Sequence, residues 1–256
     1  MKRLLKRAIP ASLRKRVHEG KRSHMRAAMK RIAGRGIEVG TVIDVGASDG
    51  RWAVQAMDYL PACDYLLVEA NPHHKPALDR FCAAHPRARY VLAAASDRAG
   101  TVRFNADDPF GGKAEPGEGA AALEVDAVRL DDLVTQADGP FAIKLDTHGY
   151  EVPILTGAAR CLKEASLVII ETYGFRIAPE SLLFHEMVAL MRDQGFGVAD
   201  MSDPLWRPGD RMFWQVDLYF QPLTRPEFAR ATWLPVATGS GVSAPVPAFT
   251  SSGQRR

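Results

Sequence analysis

Long apolar runs, paired cysteines and the common nucleotide fingerprints are all missing from this sequence of 256 residues. No stretch approaches the roughly 18 apolar residues of a membrane-spanning helix. The amino-terminal stretch MKRLLKRAIPASLRKRV lacks the apolar centre of a secretory signal. The three cysteines have no C-x-x-C spacing, which argues against a zinc site and a disulfide framework. These absences predict a cytoplasmic protein with reduced thiols.

Positive charge is concentrated at the amino terminus. The net charge is +3, but the first 35 residues contain 13 lysines and arginines and a single acid, Glu19, which leaves −9 for the rest of the chain. The sequence therefore predicts a basic helical arm over residues 1–36 that is electrostatically distinct from the body. Such an arm could bind an anionic membrane surface, at the periphery of the membrane, or a glycan-assembly partner. Solvated charge without a partner is the alternative.

Strands and helices alternate along the middle of the chain. Apolar strands are predicted at TVIDVG, YLLVEA, RYVLAAAS, FAIKLDTHG and LVIIETY, with a short strand at TVRFN and a late strand at FWQVDLYF. Helices are predicted over Arg51 to Tyr59, from the start signal Asn71-Pro72 to near His85, over Glu151 to Glu164 and from Pro179 to Gly195. This pattern predicts an α/β fold with a doubly wound, mainly parallel sheet and a late antiparallel strand. We expect one domain over residues 37–223, a mobile loop over 106–120 that could cover the acceptor, and a disordered tail rich in Pro, Ser and Gly over 224–256.

The glycine-rich turn after the first strand, TVIDVGASDG, matches neither common fingerprint. Ser48 and Arg51 occupy two glycine positions of G-x-G-x-x-G, and no Lys-Ser or Lys-Thr pair completes a P-loop. The remaining D-x-G-x-x-x-G pattern suits S-adenosylmethionine, because an acid there can attract the cofactor's cationic groups and a glycine permits close approach. A turn that merely needs glycines is the alternative. The expected cofactor contacts in this turn are Asp44, Gly46, Ala47, Ser48 and Gly50.

A second acid supports the same cofactor. Glu69 ends the second strand, 25 residues after Asp44, where α/β nucleotide-binding folds place an acid on the ribose hydroxyls. A carboxylate forms strong charge-assisted bonds with two hydroxyls, and Ala70 follows it in the same loop. Ser96 and Asp97, at the end of the third strand, are expected to face the adenine. Alternatively, Glu69 is a solvated loop acid, and the Ser-Asp pair only forms an ordinary turn.

Titratable groups cluster after the fourth strand. Lys144, Asp146, His148 and Glu151 lie together in KLDTHGYE, and Glu171 ends the neighbouring fifth strand. Burial and mutual charge shift pKa values at functional sites, so we expect a functional site here, with Lys144, Asp146, His148 and Glu171 on its catalytic side. His148 is the first choice for a general base and Asp146 the second. Lys144 could instead serve only as an ion-pair partner. Asp146, His148 and Glu171 could hold a divalent metal, although this thin ligand set does not favour one.

The order of these segments resembles the FkbM-type methyltransferase family. The resembling segments are TVIDVGASDG, LLVEANP, VLAAASDRAGTVRF, VRLDDL, FAIKLDTHGYEVPILTGA, LVIIETY and WQVDLYF, from Val42 to Phe220. The resemblance implies a class I methyltransferase (Rossmann-like) fold that uses S-adenosylmethionine and makes O-methyl ethers. It implies that Asp146 marks the catalytic side, whereas many members have an acid or amide at the position of His148. The implied cofactor contacts are Asp44, Gly46, Gly50 and Glu69.

Together these features predict an S-adenosylmethionine-dependent O-methyltransferase that acts on a hydroxyl of a sugar, glycan or natural product. Such an enzyme must align its reactants and remove the hydroxyl proton with a base. Two other functions stay open. One is a nucleic-acid methyltransferase whose arm binds phosphates, and the other is a non-catalytic cofactor-binding or scaffold protein. The acidic body and the lack of aromatic residues in the arm make nucleic acid the less favoured partner.

Overall fold

The computed structural model describes residues 24–105, 113–114, 122–179 and 181–231. The predictions for the start of the basic arm, for most of the loop over 106–120 and for the tail from residue 232 lie outside these ranges. The division into arm, domain and tail therefore stays a prediction. Within the described ranges, no helix has the length and apolar character needed to cross a membrane.

The strands of the described residues form two sheets. In chain order they are β1 (Thr41–Val45), β2 (Asp64–Glu69), β3 (Ala88–Leu92), β4 (Ala94–Ala95), β5 (Gly100–Asn105), β6 (Lys113–Ala114), β7 (Ala122–Val128), β8 (Phe141–Leu145), β9 (Ala165–Tyr173), β10 (Phe196–Trp206) and β11 (Phe213–Pro222). The main sheet has the order β3-β2-β1-β8-β9-β11-β10, and the smaller sheet has the order β4-β7-β5-β6.

The central strands of the main sheet are parallel. β1 pairs in parallel with β2 and β8, and these pair in parallel with β3 and β9. β11 runs antiparallel between β9 and β10. The predicted doubly wound α/β fold with a late antiparallel strand is confirmed. The winding direction of the chain reverses between β1 and β8, and ligands of such sheets bind beside that reversal, at the carboxyl ends of the strands.

Helices cover both faces of the main sheet. In chain order they are α1 (residues 24–33), α2 (Arg51–Met57), α3 (Lys75–Ala84), α4 (Leu130–Leu133), α5 (Glu151–Gly157), α6 (Ala159–Lys163) and α7 (Phe184–Asp193). The first three pack against Val42 and Leu67, whereas α5, α6 and α7 pack against Ile43 and Val68 on the opposite face. Successive strand residues face opposite cores, so the central strands are apolar along nearly their whole length.

Helix α1, the described part of the basic segment, is attached to the sheet. Met25 and Met29 are buried in the same core as α2 and α3. Arg31 donates two hydrogen bonds, of 2.8 and 2.6 Å, to Asp200 of β10, and Arg35 approaches the same carboxylate at 3.5 Å. Two cations of the basic segment are therefore already paired with an acid of the sheet.

Strand β10 is absent from the sequence predictions. Its pairing with β11 shifts register three times along its length, and Asp203 has a positive φ of +52°. Bulges interrupt the alternation of apolar and polar side chains from which a strand is predicted. The irregular strand therefore leaves no periodic signal in the sequence.

Smaller differences concern where elements begin and end. The predicted third strand divides at Ala93, so that β3 belongs to the main sheet and β4 to the smaller one. The helix expected to run on from Glu151 is interrupted at Ala158, between α5 and α6. The helix expected to open at Pro179 begins at Phe184. The strand β7, which completes the smaller sheet, was not predicted.

Candidate active site

A cavity lies at the carboxyl ends of β1, β2 and β8, beside the reversal in chain winding. The turn after β1, the loop after β2 and the turn after β8 form three of its walls. The smaller sheet completes the wall with Ala94 of β4 and Phe104 of β5. The site is thus assembled from strand ends, as expected for a doubly wound sheet.

Glycines in the turn after β1 are required by backbone packing. Gly46 has a φ of +72°, and a Cβ there would lie 2.2 Å from the carbonyl oxygen of Asp146. Gly50 has a φ of +81°, and a Cβ there would lie 2.6 Å from the ring of Phe81. Both positions therefore need glycine for conformation and for space. From the sequence, a glycine here was expected to permit close approach of the cofactor, with a turn that merely needs glycines as the alternative.

The carboxylate of Glu69 is held on the cavity wall by two backbone donors. The N–H of Ser48 donates to Oε2 and the N–H of Asn71 donates to Oε1, each at 2.7 Å. Glu69 is buried, so these bonds compensate for lost hydration. Each carboxylate oxygen has a further lone pair for a hydroxyl donor. This geometry fits a ligand with two neighbouring hydroxyl groups.

A buried lysine links two acids at the floor of the site. The Nζ of Lys144 lies 3.2 Å from Oδ1 of Asp44 and 3.2 Å from Oδ2 of Asp146. Burial alone would lower the pKa of Lys144, but the two carboxylates outweigh burial and raise it. Asp44 is fully buried, and burial raises its pKa against the opposing effect of the ammonium group. Lys144 is therefore cationic, and its ammonium also lies 5.6 Å from the ring centroid of Trp52.

Asp146 and His148 face each other at the cavity wall. Burial would raise the pKa of Asp146, but Lys144 and His148 outweigh it and lower this pKa to about 2. The Nδ1 of His148 lies 3.9 Å from Oδ1 of Asp146, which is an electrostatic contact but too long for a hydrogen bond. Both side chains are half-buried. An ionised carboxylate thus stands beside an imidazole that reaches the cavity.

The turn that carries His148 is fixed from within. His148 has a left-handed φ of +56°, which is rare for a residue with a side chain. Glu151 is buried and accepts hydrogen bonds from the N–H of Gly149 at 2.9 Å and from the hydroxyl of Thr147 at 3.1 Å. Burial raises the pKa of Glu151. Both neighbours of His148 are therefore tied to one carboxyl group.

Glu171 adds a second acid to the same end of the site. Ligand atoms of Asp146, His148 and Glu171 all lie within 4.8 Å of one another. The carboxylate of Glu171 accepts hydrogen bonds from the hydroxyl of Tyr173 and from the amide of Gln215. Burial, and then the nearby carboxylate, raise the pKa of Tyr173, which keeps its hydroxyl protonated as a donor. The three groups could hold a metal, or could bind and deprotonate an acceptor.

The model for the methyltransferase FkbM domain matches residues 44–198 of this chain. The match covers more than half of the sequence and spans the residues that line the cavity. The chain belongs to the FkbM methyltransferase family. It is an S-adenosylmethionine-dependent methyltransferase, as the sequence predicts. A comparison with curated proteins gives no match.

Solved structures similar to this methyltransferase share little sequence with it. The 1,6-didemethyltoxoflavin-N1-methyltransferase of Burkholderia thailandensis, with bound 1,6-didemethyltoxoflavin and S-adenosylhomocysteine, is 16% identical, with 77% of each chain covered and a TM-score of 0.43. Precorrin-6y C5,15-methyltransferase from Geobacter metallireducens GS-15 is 12% identical, with 77% of this chain and 86% of that chain covered and a TM-score of 0.42. An O-methyltransferase from neocarzinostatin biosynthesis, in complex with S-adenosyl-L-homocysteine and 1,4-dihydroxy-2-naphthoic acid, is 13% identical, with coverages of 72% and 49% and a TM-score of 0.38.

The structure brings most of the predicted site residues of the methyltransferase together. Glu171 stands beside them without lining the cavity. Their roles toward cofactor and acceptor stay predictions, but their convergence on one cavity is a structural finding. The predicted residues that line the cavity are Gly46, Ala47, Ser48, Glu69, Ala70, Lys144, Asp146 and His148.

Four predicted cofactor contacts lie outside the cavity lining. Asp44 lies beside Lys144 on the neighbouring strand, and Gly50 is the N-cap residue of helix α2. The hydroxyl of Ser96 lies 3.0 Å from a carboxylate oxygen of Asp97 and 3.2 Å from the hydroxyl of Tyr150, which itself lines the cavity. Direct contact of these four residues with the cofactor stays a prediction.

Several residues of the cavity wall were not predicted from the sequence. Only the loop after β2 gave a signal, because Asn71-Pro72 was recognised as a helix start. Asn71 does cap a short 3-10 helix, Pro72–His74, by accepting a hydrogen bond from the N–H of His73. This cap places His74 on the cavity wall. The missed lining residues include Trp52, Asn71, His74, Phe104 and Tyr150.

Proposed function

We propose that this methyltransferase transfers a methyl group to a hydroxyl group of a sugar, glycan or natural product. The observation that supports this proposal is the ionised Asp146 beside His148, next to the wall that presents Glu69. A neutral hydroxyl group holds its proton at physiological pH, so a base at this position is needed to remove that proton during methyl transfer. An acceptor that is already nucleophilic would not need one.

The cofactor would be held mainly by the loop ends of β1 and β2. When bound, S-adenosylmethionine supplies a methyl group on a positively charged sulfur. Glu69 would accept hydrogen bonds from the ribose hydroxyls through its remaining lone pairs, and the backbone of Gly46 and Ala47 would border the amino-acid portion. The fit rests on the orientation of the Glu69 carboxylate, which two N–H groups fix at 2.7 Å.

His148 would remove the hydroxyl proton. Its imidazole reaches the cavity, and the carboxylate of Asp146 lies 3.9 Å from Nδ1. That carboxylate stabilises the imidazolium formed when the ring takes a proton. Lys144 keeps Asp146 ionised from the other side. Lys144 and Asp146 therefore support the base, and Asp146 is the alternative base itself.

The acceptor end is rich in carboxylates, which favours a neutral, hydroxylated acceptor. Asp146 and Glu171 lie close together, and Asp217 stands opposite Glu171 in the pairing of β9 with β11. Carboxylates accept hydrogen bonds from hydroxyl groups and repel phosphates. The ammonium of Lys144 is engaged by two acids. These features make a nucleic-acid acceptor the weaker candidate.

A divalent metal is not required by this proposal. Asp146, His148 and Glu171 could offer one ligand atom each. However, the ammonium of Lys144 already lies 3.2 Å from Asp146 and would repel a cation. The carboxylate of Glu171 is occupied by two hydrogen-bond donors. These side chains therefore fit a proton acceptor better than a metal site.

The test is transfer of an isotopically labelled methyl group from S-adenosylmethionine to a panel of acceptors. Methyl glycosides, sugar nucleotides and polyphenols would represent hydroxyl acceptors, and tRNA and duplex DNA would represent nucleic acids. We expect a methyl ether on a hydroxyl compound, located by mass spectrometry, and no label in nucleic acid. Label in tRNA but not in any hydroxyl compound would contradict the proposal.

A further inference from the structure

A closed circuit of hydrogen bonds surrounds the carboxylate of Glu69. Ser48 donates its N–H to one carboxylate oxygen and Asn71 donates its N–H to the other. The N–H of His74 donates to the carbonyl oxygen of Asn71 at 3.1 Å. The Nε2 of His74 then lies 3.3 Å from the hydroxyl oxygen of Ser48, which completes the circuit. The imidazole is thus a second link, besides Glu69 itself, between the loop after β2 and the turn after β1.

This link acts on a residue with an unfavourable backbone conformation. Ser48 has a φ of +53°, in the left-handed region that few residues other than glycine adopt. Such a conformation persists only when surrounding contacts hold it. At Ser48 these contacts are its N–H bond to Glu69 and its hydroxyl contact with His74. His74 is buried, lines the cavity and is carried by a capped 3-10 helix, so its own position is well defined.

We propose that His74 is a positioning residue for cofactor binding, which orients the Glu69 carboxylate toward the two ribose hydroxyls by holding Ser48 in place. This inference rests on the proposed role of Glu69 as the ribose contact. His74 acts through Ser48 and needs no contact of its own with the methyl group or the acceptor. Its loss should therefore weaken the recognition of ribose hydroxyls and leave the chemical step unchanged.

The experiment compares ligands with and without these hydroxyls by calorimetry. The probes are S-adenosylhomocysteine, adenosine and 2′,3′-dideoxyadenosine. His74→Ala loses one neutral hydrogen bond, which should lower the affinity for S-adenosylhomocysteine and for adenosine by about 3- to 10-fold. The affinity for dideoxyadenosine should not change. His74→Gln, which can still reach the Ser48 hydroxyl, should recover part of the loss.

Two variants of neighbouring residues complete the design. His73→Ala removes an exposed histidine one position earlier and should match the wild type for every probe. Ser48→Ala should reproduce the His74→Ala effect, and the double variant should be no weaker than either single variant, because both remove the same contact. Ser48→Ala also carries the test if His74→Ala does not fold.

The outcomes separate this inference from the proposed function. If Glu69→Ala abolishes the preference for adenosine over dideoxyadenosine but His74→Ala and Ser48→Ala retain it, the positioning role is wrong and the ribose contact stands. If His74→Ala lowers the affinities for adenosine and for dideoxyadenosine equally, the effect is a general structural one, and this too would overturn the inference. If the wild type has no preference for adenosine, the ribose contact and the inference are both wrong.

Discussion

Glu69 and Asp146 are both acids at the carboxyl ends of parallel strands of one sheet, but different partners hold them. Glu69 accepts two backbone N–H bonds of 2.7 Å. Asp146 faces the ammonium of Lys144 at 3.2 Å and the imidazole of His148 at 3.9 Å. The first carboxylate is fixed by groups that do not titrate, whereas the second is fixed by groups that carry or gain charge.

The difference separates two tasks within one cavity. A nucleoside-binding carboxylate must keep a constant orientation, and backbone donors provide this because their positions follow from the fold itself. A group that supports proton removal must respond to charge, and a chain of acid, lysine, acid and histidine provides that response. Changes on the Asp146 side should therefore alter stability and turnover, whereas changes on the Glu69 side should alter affinity.

The largest effect is expected for Lys144→Met. This substitution leaves Asp44, which is fully buried, and Asp146 without their shared counter-charge. Removing one partner from a buried ion pair typically costs about 3–5 kcal/mol in the free energy of unfolding. Urea denaturation would measure the loss, with the exposed Lys75→Met as the matched control. A loss below about 1 kcal/mol, as for an exposed pair, would show that the buried charges are solvated by other means.

The next largest effect is expected for His148→Ala, on turnover. Removing the base should lower kcat by about 100-fold with any acceptor that the panel identifies, while the affinity for S-adenosylhomocysteine stays near the wild-type value. His148→Gln should be nearly as slow, because glutamine is not basic. The exposed His185→Ala is the control. A fast His148→Gln variant together with an inactive Asp146→Asn variant would assign the base to Asp146.

On the other side of the comparison, Glu69→Ala should weaken binding without slowing the chemical step. Lost hydrogen bonds to a charged group cost about 1.5–3 kcal/mol, or roughly 10- to 150-fold in Kd. Calorimetry with S-adenosylhomocysteine would measure Kd, and circular dichroism would check the fold. Glu69→Gln keeps the shape of the side chain and should bind with intermediate affinity. If folded Glu69→Ala binds S-adenosylhomocysteine with unchanged affinity, Glu69 does not contribute to cofactor binding.

Low pH should reduce the contribution of Asp146 to the free energy of unfolding. The pKa of Asp146 is lowered to about 2, so between about pH 4 and pH 2 the folded state binds fewer protons than the unfolded state. The stability that Asp146 contributes is therefore present above about pH 4 and lost as the pH falls through about 2. Burial raises the pKa of Asp44, which gives a contribution of opposite sign. In Asp146→Asn, urea unfolding between pH 2 and pH 5 should depend less steeply on pH than in the wild type, whereas an equal slope would contradict this assignment.

The smallest effect is expected from a chelator. Lys144 already compensates Asp146, and Glu171 is bonded to Tyr173 and Gln215. Adding ethylenediaminetetraacetate to the active enzyme should therefore leave the turnover unchanged, and Mg²⁺ should not raise it. If the chelator abolishes turnover and Mg²⁺ or Mn²⁺ restores it, the prediction is wrong, and Asp146, His148 and Glu171 are the candidate metal ligands.

The features that could be predicted from the sequence are those that depend on residues close together along the chain. The apolar strands around β1, the acids that follow them and the glycine turn all carry their signal within a few residues. Strand β10 pairs irregularly with β11 and left no local pattern. In the smaller sheet β5 was predicted as TVRFN, but β7 was not. The same limit applies to the cavity wall, because Phe104 and Tyr150 reach it only through tertiary packing. The need for glycine at position 46 likewise became clear only from the contact between two strand ends.

Strand β10 also has a consequence for self-association. It ends the main sheet, with no strand on its outer side among the described residues. A regular outer strand offers an unbroken row of N–H and C=O groups to a strand from another molecule. In β10 three shifts of register and the left-handed Asp203 divide that row into short pieces. Two molecules that met along this strand could form only a few consecutive hydrogen bonds, which disfavours the joining of their main sheets at this edge.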